Sequence, residues 1–382
     1  MLRQKLLDSN RIWITIVLLH IAGSILNSLL GIFPFGRMIA ATILWIYLAI
    51  MQKKNQRWIG ICIAGWLITI LTMYSFVGNY QGSILLDEIL LLYVFFICQK
   101  AYMKPMEYCH IRKISMKSVI WIIIAAVFLF IMAGYVNICS MLAFQNLVDA
   151  SLESIVDKPI EALITVAVMP AIVEEFLFRG MIYRGISNKR TAIIVSAILF
   201  ALLHMNFNQM CYAFIMGLAF ALIVYITDNL TISILLHMLF NTFTVISCCF
   251  IDKNVIQAIL RFNIAGYSPF APSLVDTQGH IQVSLLIIGA VIAIISAGIA
   301  AYAVLWIRKV EEKTRKTETI ATSKNIKPEE MVRKKTEVVI SNQQDRNIEE
   351  NSGLNIKWRP NLQFFIGSGI CILIAVLYEI LL

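Results

Sequence analysis

The chain is laid out as long apolar runs separated by short polar connections, and that layout decides what it can fold into. A transmembrane helix needs about 20 mostly apolar residues. About eleven such runs can be read, near 12–33, 38–52, 57–77, 83–99, 118–145, 160–183, 191–206, 210–227, 231–250, 281–307 and 362–382. The fold class expected is all-α, a polytopic transmembrane helical bundle. Hydrophobic residues make up 59% of the 382, and charged residues only 14%. A soluble domain cannot hide that much apolar surface, whereas a bilayer takes it up.

The charges test the segment order. Cytoplasmic loops carry an excess of Lys and Arg. With the N-terminus (Arg3, Lys5, Arg11) inside, alternate connections hold Lys53, Lys54 and Arg57, then Lys100, Lys104, Arg112, Lys113 and Lys117, then Arg184, Lys189 and Arg190. The opposite connections are uncharged near 77–82 and acidic around Asp149, Glu153 and Asp157; Arg37 is the exception. The N-terminus is therefore expected in the cytoplasm and the C-terminus outside. The net charge of +9 is explained by these loops, so nucleic acid is not an expected partner. Membrane lipids are. The first apolar run is long enough to stay in the membrane, and no cleavable signal peptide is evident. The eight cysteines form no CxxC pair and are read as small buried hydrophobes.

Five regions follow from this layout. Residues 1–158 hold N-terminal membrane helices, 159–250 a polar-bearing core of about four helices, and 251–307 an external loop and a helix. Residues 308–360 are dense in mixed charge and read as a solvated cytoplasmic linker, disordered or partly helical. Residues 361–382 form a last membrane helix.

Ionisable groups within membrane helices cost several kcal/mol, roughly 2.5–3.5 at the helix centre on insertion scales. The notable ones fall between residues 170 and 245. In Glu174-Glu175-Phe176-Leu177-Phe178-Arg179, the adjacent carboxylates point about 100° apart on a helix. Glu175 and Arg179 are spaced to pair, acid first. That leaves Glu174 facing elsewhere, as a candidate general base in a poorly solvated site. Pro170 can kink the helix one turn earlier and make room for water. Next, Phe200 and His204 share a helix face. Then His237 and Asn241 are one turn apart and can aim two donors at an oxyanion. On the same residues, His204, His237 and Glu175 offer a zinc ligand set. Buried Asn and His also serve simply as links between helices. His20 reads as a packed residue, and His110 and His280 as loop residues. Along straight helices Glu174, His237 and His204 would sit roughly 15, 9 and 20 Å from the cytoplasmic ends, at 1.5 Å per residue. One site requires these depths to converge.

The order EExxxR, FxxxH, HxxxN on successive apolar helices resembles the CPBP family of intramembrane proteases. That family includes the CAAX prenyl endopeptidases (Rce1-like) and the bacterial Abi or bacteriocin self-immunity proteins. The resemblance covers about 160–250, and Thr227-Asp228-Asn229-Leu230 before Ser233-Ile234-Leu235-Leu236-His237 suits its lead-in to the last motif. It implies an intramembrane endopeptidase in which Glu174 activates water and His204 holds that water or binds a metal. His237 and Asn241 would line the oxyanion or metal site, with Glu175, Arg179 and Phe200 in support. The implied cofactor is zinc or none. The implied substrate is a membrane-embedded or lipidated peptide or protein, and the implied location is a bacterial cell membrane. Two other readings stand beside it: a non-catalytic membrane immunity or scaffold protein, and a transporter. Against the transporter, no internal repeat is visible.

Overall fold

A computed structural model describes residues 9–30, 36–51, 56–75, 88–89, 91–92, 108–144, 158–250, 282–324 and 358–381. Among these residues the fold is all-helical, with no strand. The helices are α1 (Ser9–Leu30), α2 (Gly36–Met51), α3 (Gln56–Ser75), α4 (Met116–Ser140), α5 (159–185), α6 (Lys189–Leu203), α7 (Phe207–Thr227), α8 (Leu230–Phe250), α9 (Val283–Lys324) and α10 (Leu362–Leu381). Ten of the expected apolar runs coincide with these helices. The run 83–99 lies almost wholly outside the described residues.

Among the described residues five helices are long and apolar enough to cross a membrane: Met116–Ser140, Phe207–Thr227, Leu230–Ser247, Val283–Thr317 and Leu362–Ile380. The apolar parts of α1 and α2 are shorter, Ser9–Ile25 and Met38–Ile50. These five support membrane integration and do not confirm the count of about eleven. The helix α5 carries the motif charges, and α6 has only 15 residues.

Local sequence sets the helix ends. Ser115, Asn188 and Asn206 cap α4, α6 and α7 by accepting from the N–H of Lys117, Thr191 and Gln209. Such caps use side-chain oxygens for N–H groups that lack a helical partner. The helix α7 stops at Asp228, which takes the left-handed conformation at φ 50°. Asp tolerates that conformation better than most residues.

Residues 308–324, expected to begin the linker, are instead the last turns of α9. They dock on the bundle. Glu311 is buried and accepts from the Ser115 N–H and the Ser118 hydroxyl. Arg315 donates to the Thr227 carbonyl at 2.9 Å. Higher up, Trp121 stacks on Trp306 at 5.5 Å. The rest of the linker, and His280, lie outside the described residues.

The charge alternation reappears as spatial sorting. Ends expected on one side meet each other: Ser9 donates to Ile182 O, Asn10 to Arg359 O, and Leu230 N–H to His110 O. Ends expected on the other side also meet, with Asn208 donating to Ser140 Oγ at 2.7 Å and Phe144 against Phe207.

Candidate active site

The site is built around α5, which is not a regular α-helix. Pro159–Ala162, Met169–Glu175 and Tyr183–Gly185 are α-helical, while Leu163–Val168 and Phe176–Ile182 are π-helical. The Met169 N–H reaches back to Ile164 O, and the Tyr183 N–H to Phe178 O, five residues each. Wide turns of this kind are rare and favour functional sites. Pro170 lacks an N–H, so the carbonyl four residues earlier, on Val166, loses its α-helical donor. Asn241 of α8 supplies one instead, donating to Val166 O at 3.0 Å. The proline thus fixes α8 to α5 at the level of the motif.

One turn below, Glu175 and Arg179 are both fully buried. Arg179 Nη1 donates to Glu175 Oε1 at 2.7 Å, the pair anticipated from their spacing. Its Nη2 donates to the Gly217 carbonyl of α7 at 3.0 Å. The guanidinium also lies 4.5 Å from the Phe200 ring centre and 5.3 Å from that of Phe220. A buried charge survives only when paired and hydrogen-bonded, and this environment meets that condition. The approach to Gly217 needs a residue without a side chain. A Cβ there would stand 3.0 Å from the Ala197 Cα, so α6 and α7 touch backbone to backbone.

His237 lies between the two carboxylates. Its Nδ1 is 3.2 Å from Glu175 Oε1, and its Nε2 is 4.0 Å from Glu174 Oε2. The adjacent glutamates were expected to serve separate faces. Instead one imidazole from α8 bridges them, because its two nitrogens point opposite ways. Ser233, one turn before His237, donates to Glu175 Oε2 at 2.6 Å. Both oxygens of Glu175 are thereby used. Glu174 keeps partial exposure, 14% of its side chain against none for Glu175.

His204 caps the end of α6, and its Nδ1 is 2.9 Å from Phe200 O. A carbonyl can only accept, so Nδ1 carries the proton and Nε2 of the neutral ring is an acceptor. The same holds for neutral His237, whose Nδ1 faces a carboxylate. Phe200 joins the two rings, 5.1 Å from His204 and 5.7 Å from His237. Phe220 stacks on His237 at 4.7 Å. The depths that straight helices keep apart therefore converge.

The hydrogen bonds bear on two expectations. One donor of each oxyanion candidate is already used: one Asn241 amide proton goes to Val166 O, and the His237 Nδ1 proton goes to Glu175, which leaves the second Asn241 proton and His237 Nε2. In the expected zinc set of His204, His237 and Glu175, Glu175 already accepts from Arg179, His237 and Ser233. No group of three or more metal-ligating side chains is arranged to hold a metal among the described residues.

In the sequence Ser233 is named only within the lead-in to the last motif, and Gly217 and Phe220 are not singled out. Ser233 had a signal, since it shares the His237 face at i−4. His110 is more than a loop residue: with φ 53°, its Nδ1 lies 2.7 Å from Asp228 Oδ1. Arg112 and Arg184 also reach Asp228, at 3.0 and 3.4 Å. Burial alone would raise the Asp228 carboxyl, but these three neighbours outweigh it and bring it down to about 2.

No curated relative and no solved structure matches the chain. A family model does: residues 157–243 match the type II CAAX prenyl endopeptidase Rce1-like family. That segment contains Glu174, Glu175, Arg179, His204, His237 and Asn241, and the family supports a CAAX-type intramembrane endopeptidase. The resemblance carried by the motifs is thus matched at the level of the domain: residues 157–243 are similar to the Rce1-like family.

Proposed function

We propose that the chain hydrolyses a peptide bond of a membrane-embedded or lipidated peptide or protein, with Glu174 as the general base. The observation that carries this is the division between adjacent carboxylates. Both oxygens of Glu175 are hydrogen-bonded inside the bundle, whereas Glu174 is partly exposed beside the His237 Nε2. Glu174 takes a proton from water, and the hydroxide attacks the scissile carbonyl carbon. The C–N bond breaks as Glu174 returns the proton to the leaving amine. The Nε2 acceptors of His204 and His237 suit the water's second proton. The negative oxygen of the intermediate is met by the second amide proton of Asn241, and by His237 Nε2 when that ring is protonated. Glu175 orients His237 through Nδ1, and Arg179 holds Glu175. Loop charge supports a cytoplasmic position for the α4, α6 and α8 starts and for the N-terminus.

The test uses the purified protein in lipid nanodiscs with two quenched-fluorescence CAAX peptides, one farnesylated and one not. Glu174→Gln is expected to lower cleavage about 10²–10⁴-fold, the usual contribution of a positioned base. Cleavage by that variant at the wild-type rate would remove Glu174 from the mechanism. Treatment with a zinc chelator is expected to leave the rate unchanged. Loss of activity that added zinc restores would show a metal requirement.

A further inference from the structure

Pro170 is buried at the point of α5 where the first wide turn gives way to the α-helical stretch Met169–Glu175. A proline there has no N–H to give, and its ring presses on the carbonyl four residues earlier. That carbonyl belongs to Val166. The neighbouring Met169 N–H is already spent on Ile164 O. A backbone carbonyl in an apolar layer needs a donor from somewhere. The helix α8 packs on both Leu163–Val168 and Met169–Glu175. From it Asn241 Nδ2 donates to Val166 O at 3.0 Å.

That bond decides two things about the Asn241 side chain. A carbonyl only accepts, so the nitrogen of the amide, not its oxygen, faces α5. The amide group is planar, so holding one proton on Val166 O also sets the direction of the second. His237, one turn earlier on α8, is held in the same way by Glu175 at 3.2 Å. Both groups given to the oxyanion are thus anchored on α5 before any substrate arrives. Donors fixed in advance need no rearrangement when charge develops. In a regular α-helix the N–H of residue 170 would draw Val166 O along the helix axis and away from α8. The amide of Asn241 would then be free to turn.

We infer that Pro170 is a positioning residue for hydrolysis: by withholding an N–H from Val166 O it leaves that carbonyl to anchor the Asn241 amide, whose second proton meets the oxyanion. This is a more specific task than the kink and the room for water expected of it. Pro170 acts through Asn241 and takes no part in the chemistry itself. The inference rests on the proteolytic reading above.

The experiment compares wild type, Pro170→Ala, Asn241→Ala and the double variant as full chains in lipid nanodiscs, with the two quenched-fluorescence CAAX peptides. Pro170→Ala returns an N–H to Val166 O. It is expected to lower kcat about ten- to a hundredfold, as misplacement of a catalytic group does. KM should stay within about twofold of wild type, since the lost interaction exists only in the transition state. Its melting temperature should equal or exceed that of wild type, because a helix hydrogen bond has been restored. Asn241→Ala is expected to lower kcat about 10²–10³-fold and to melt lower, with Val166 O left unpaired. The double variant should match the kcat of Asn241→Ala to within about threefold, because the two residues act as one unit. It should melt above Asn241→Ala, because the new backbone N–H serves Val166 O. A proline that merely shapes the helix would lower kcat by the same factor in both backgrounds, and that result would overturn the inference. So would wild-type kcat in Pro170→Ala, a Pro170→Ala protein that melts lower or does not fold, or a double variant that melts no higher than Asn241→Ala. The melting comparison needs no substrate, so it decides even where neither peptide is cleaved. Each of these results leaves the proteolytic reading standing as long as cleavage is lost with Glu174→Gln. If cleavage does not depend on Glu174, the proteolytic reading fails and the inference fails with it.

Discussion

Two charge clusters in this molecule use similar groups in opposite surroundings. At the centre, Glu175, Arg179, His237 and Ser233 are buried. At the end of the bundle, Asp228, His110, Arg112 and Arg184 surround a carboxylate that is 46% exposed. The central residues come from two pieces of chain, α5 and α8, and the peripheral ones from three. In the central cluster removal of one member strands a charge away from water, which costs about 3–5 kcal/mol. In the peripheral one water takes over, and exposed pairs contribute about 0–1 kcal/mol. The first cluster builds the site. The second ties the 108–115 connection to the turn between α7 and α8.

The comparison breaks if the two clusters respond alike. The largest effect is expected from Arg179→Met, which leaves Glu175 buried without its cation. Unfolding of the detergent-solubilised protein should show a loss of about 3–5 kcal/mol. A loss below 1 kcal/mol would mean that Glu175 finds another partner. Next is Gly217→Ala, which pushes a methyl group against the Ala197 backbone. Overpacking of this sort costs about 1–3 kcal/mol, and the α6–α7 spacing should widen. The smallest effect is expected from Asp228→Asn, below about 1 kcal/mol, since Asn also accepts the left-handed conformation. The same latch has a pH signature. The Asp228 carboxyl is held at about 2, below its ordinary 3.8, so its stabilising effect is complete above 3.8 and is lost as pH falls toward 2. The difference in melting temperature between wild type and Asp228→Asn should shrink over that window. A constant difference would contradict the ion-pair account.

The contrast also shows what a sequence can reveal. Ten of the apolar runs matched helices, because each run must cover its own backbone polar groups in lipid. The Glu175–Arg179 pair was visible because helical spacing brings i and i+4 together. Contacts between helices were not visible. Nothing local shows that Gly217 offers its carbonyl to Arg179, or that Asn241 answers the donor missing at Pro170. The adjacent glutamates were placed on separate faces, which is true of their own helix. It does not follow that separate partners serve them, since His237 from another helix reaches both. The helix α9 runs on through 308–324 because a helix tolerates charged residues once it leaves the apolar layer, and Glu311 and Arg315 have partners there.

The central claim is that adjacent carboxylates divide the labour, Glu174 reacting and Glu175 holding the frame. It is tested most directly by measuring cleavage and melting temperature together for Glu174→Gln and Glu175→Gln. The account predicts that Glu174→Gln melts as wild type does while its cleavage is lost, and that Glu175→Gln melts at a clearly lower temperature. Wild-type cleavage by Glu174→Gln, or unchanged melting of Glu175→Gln, would contradict it.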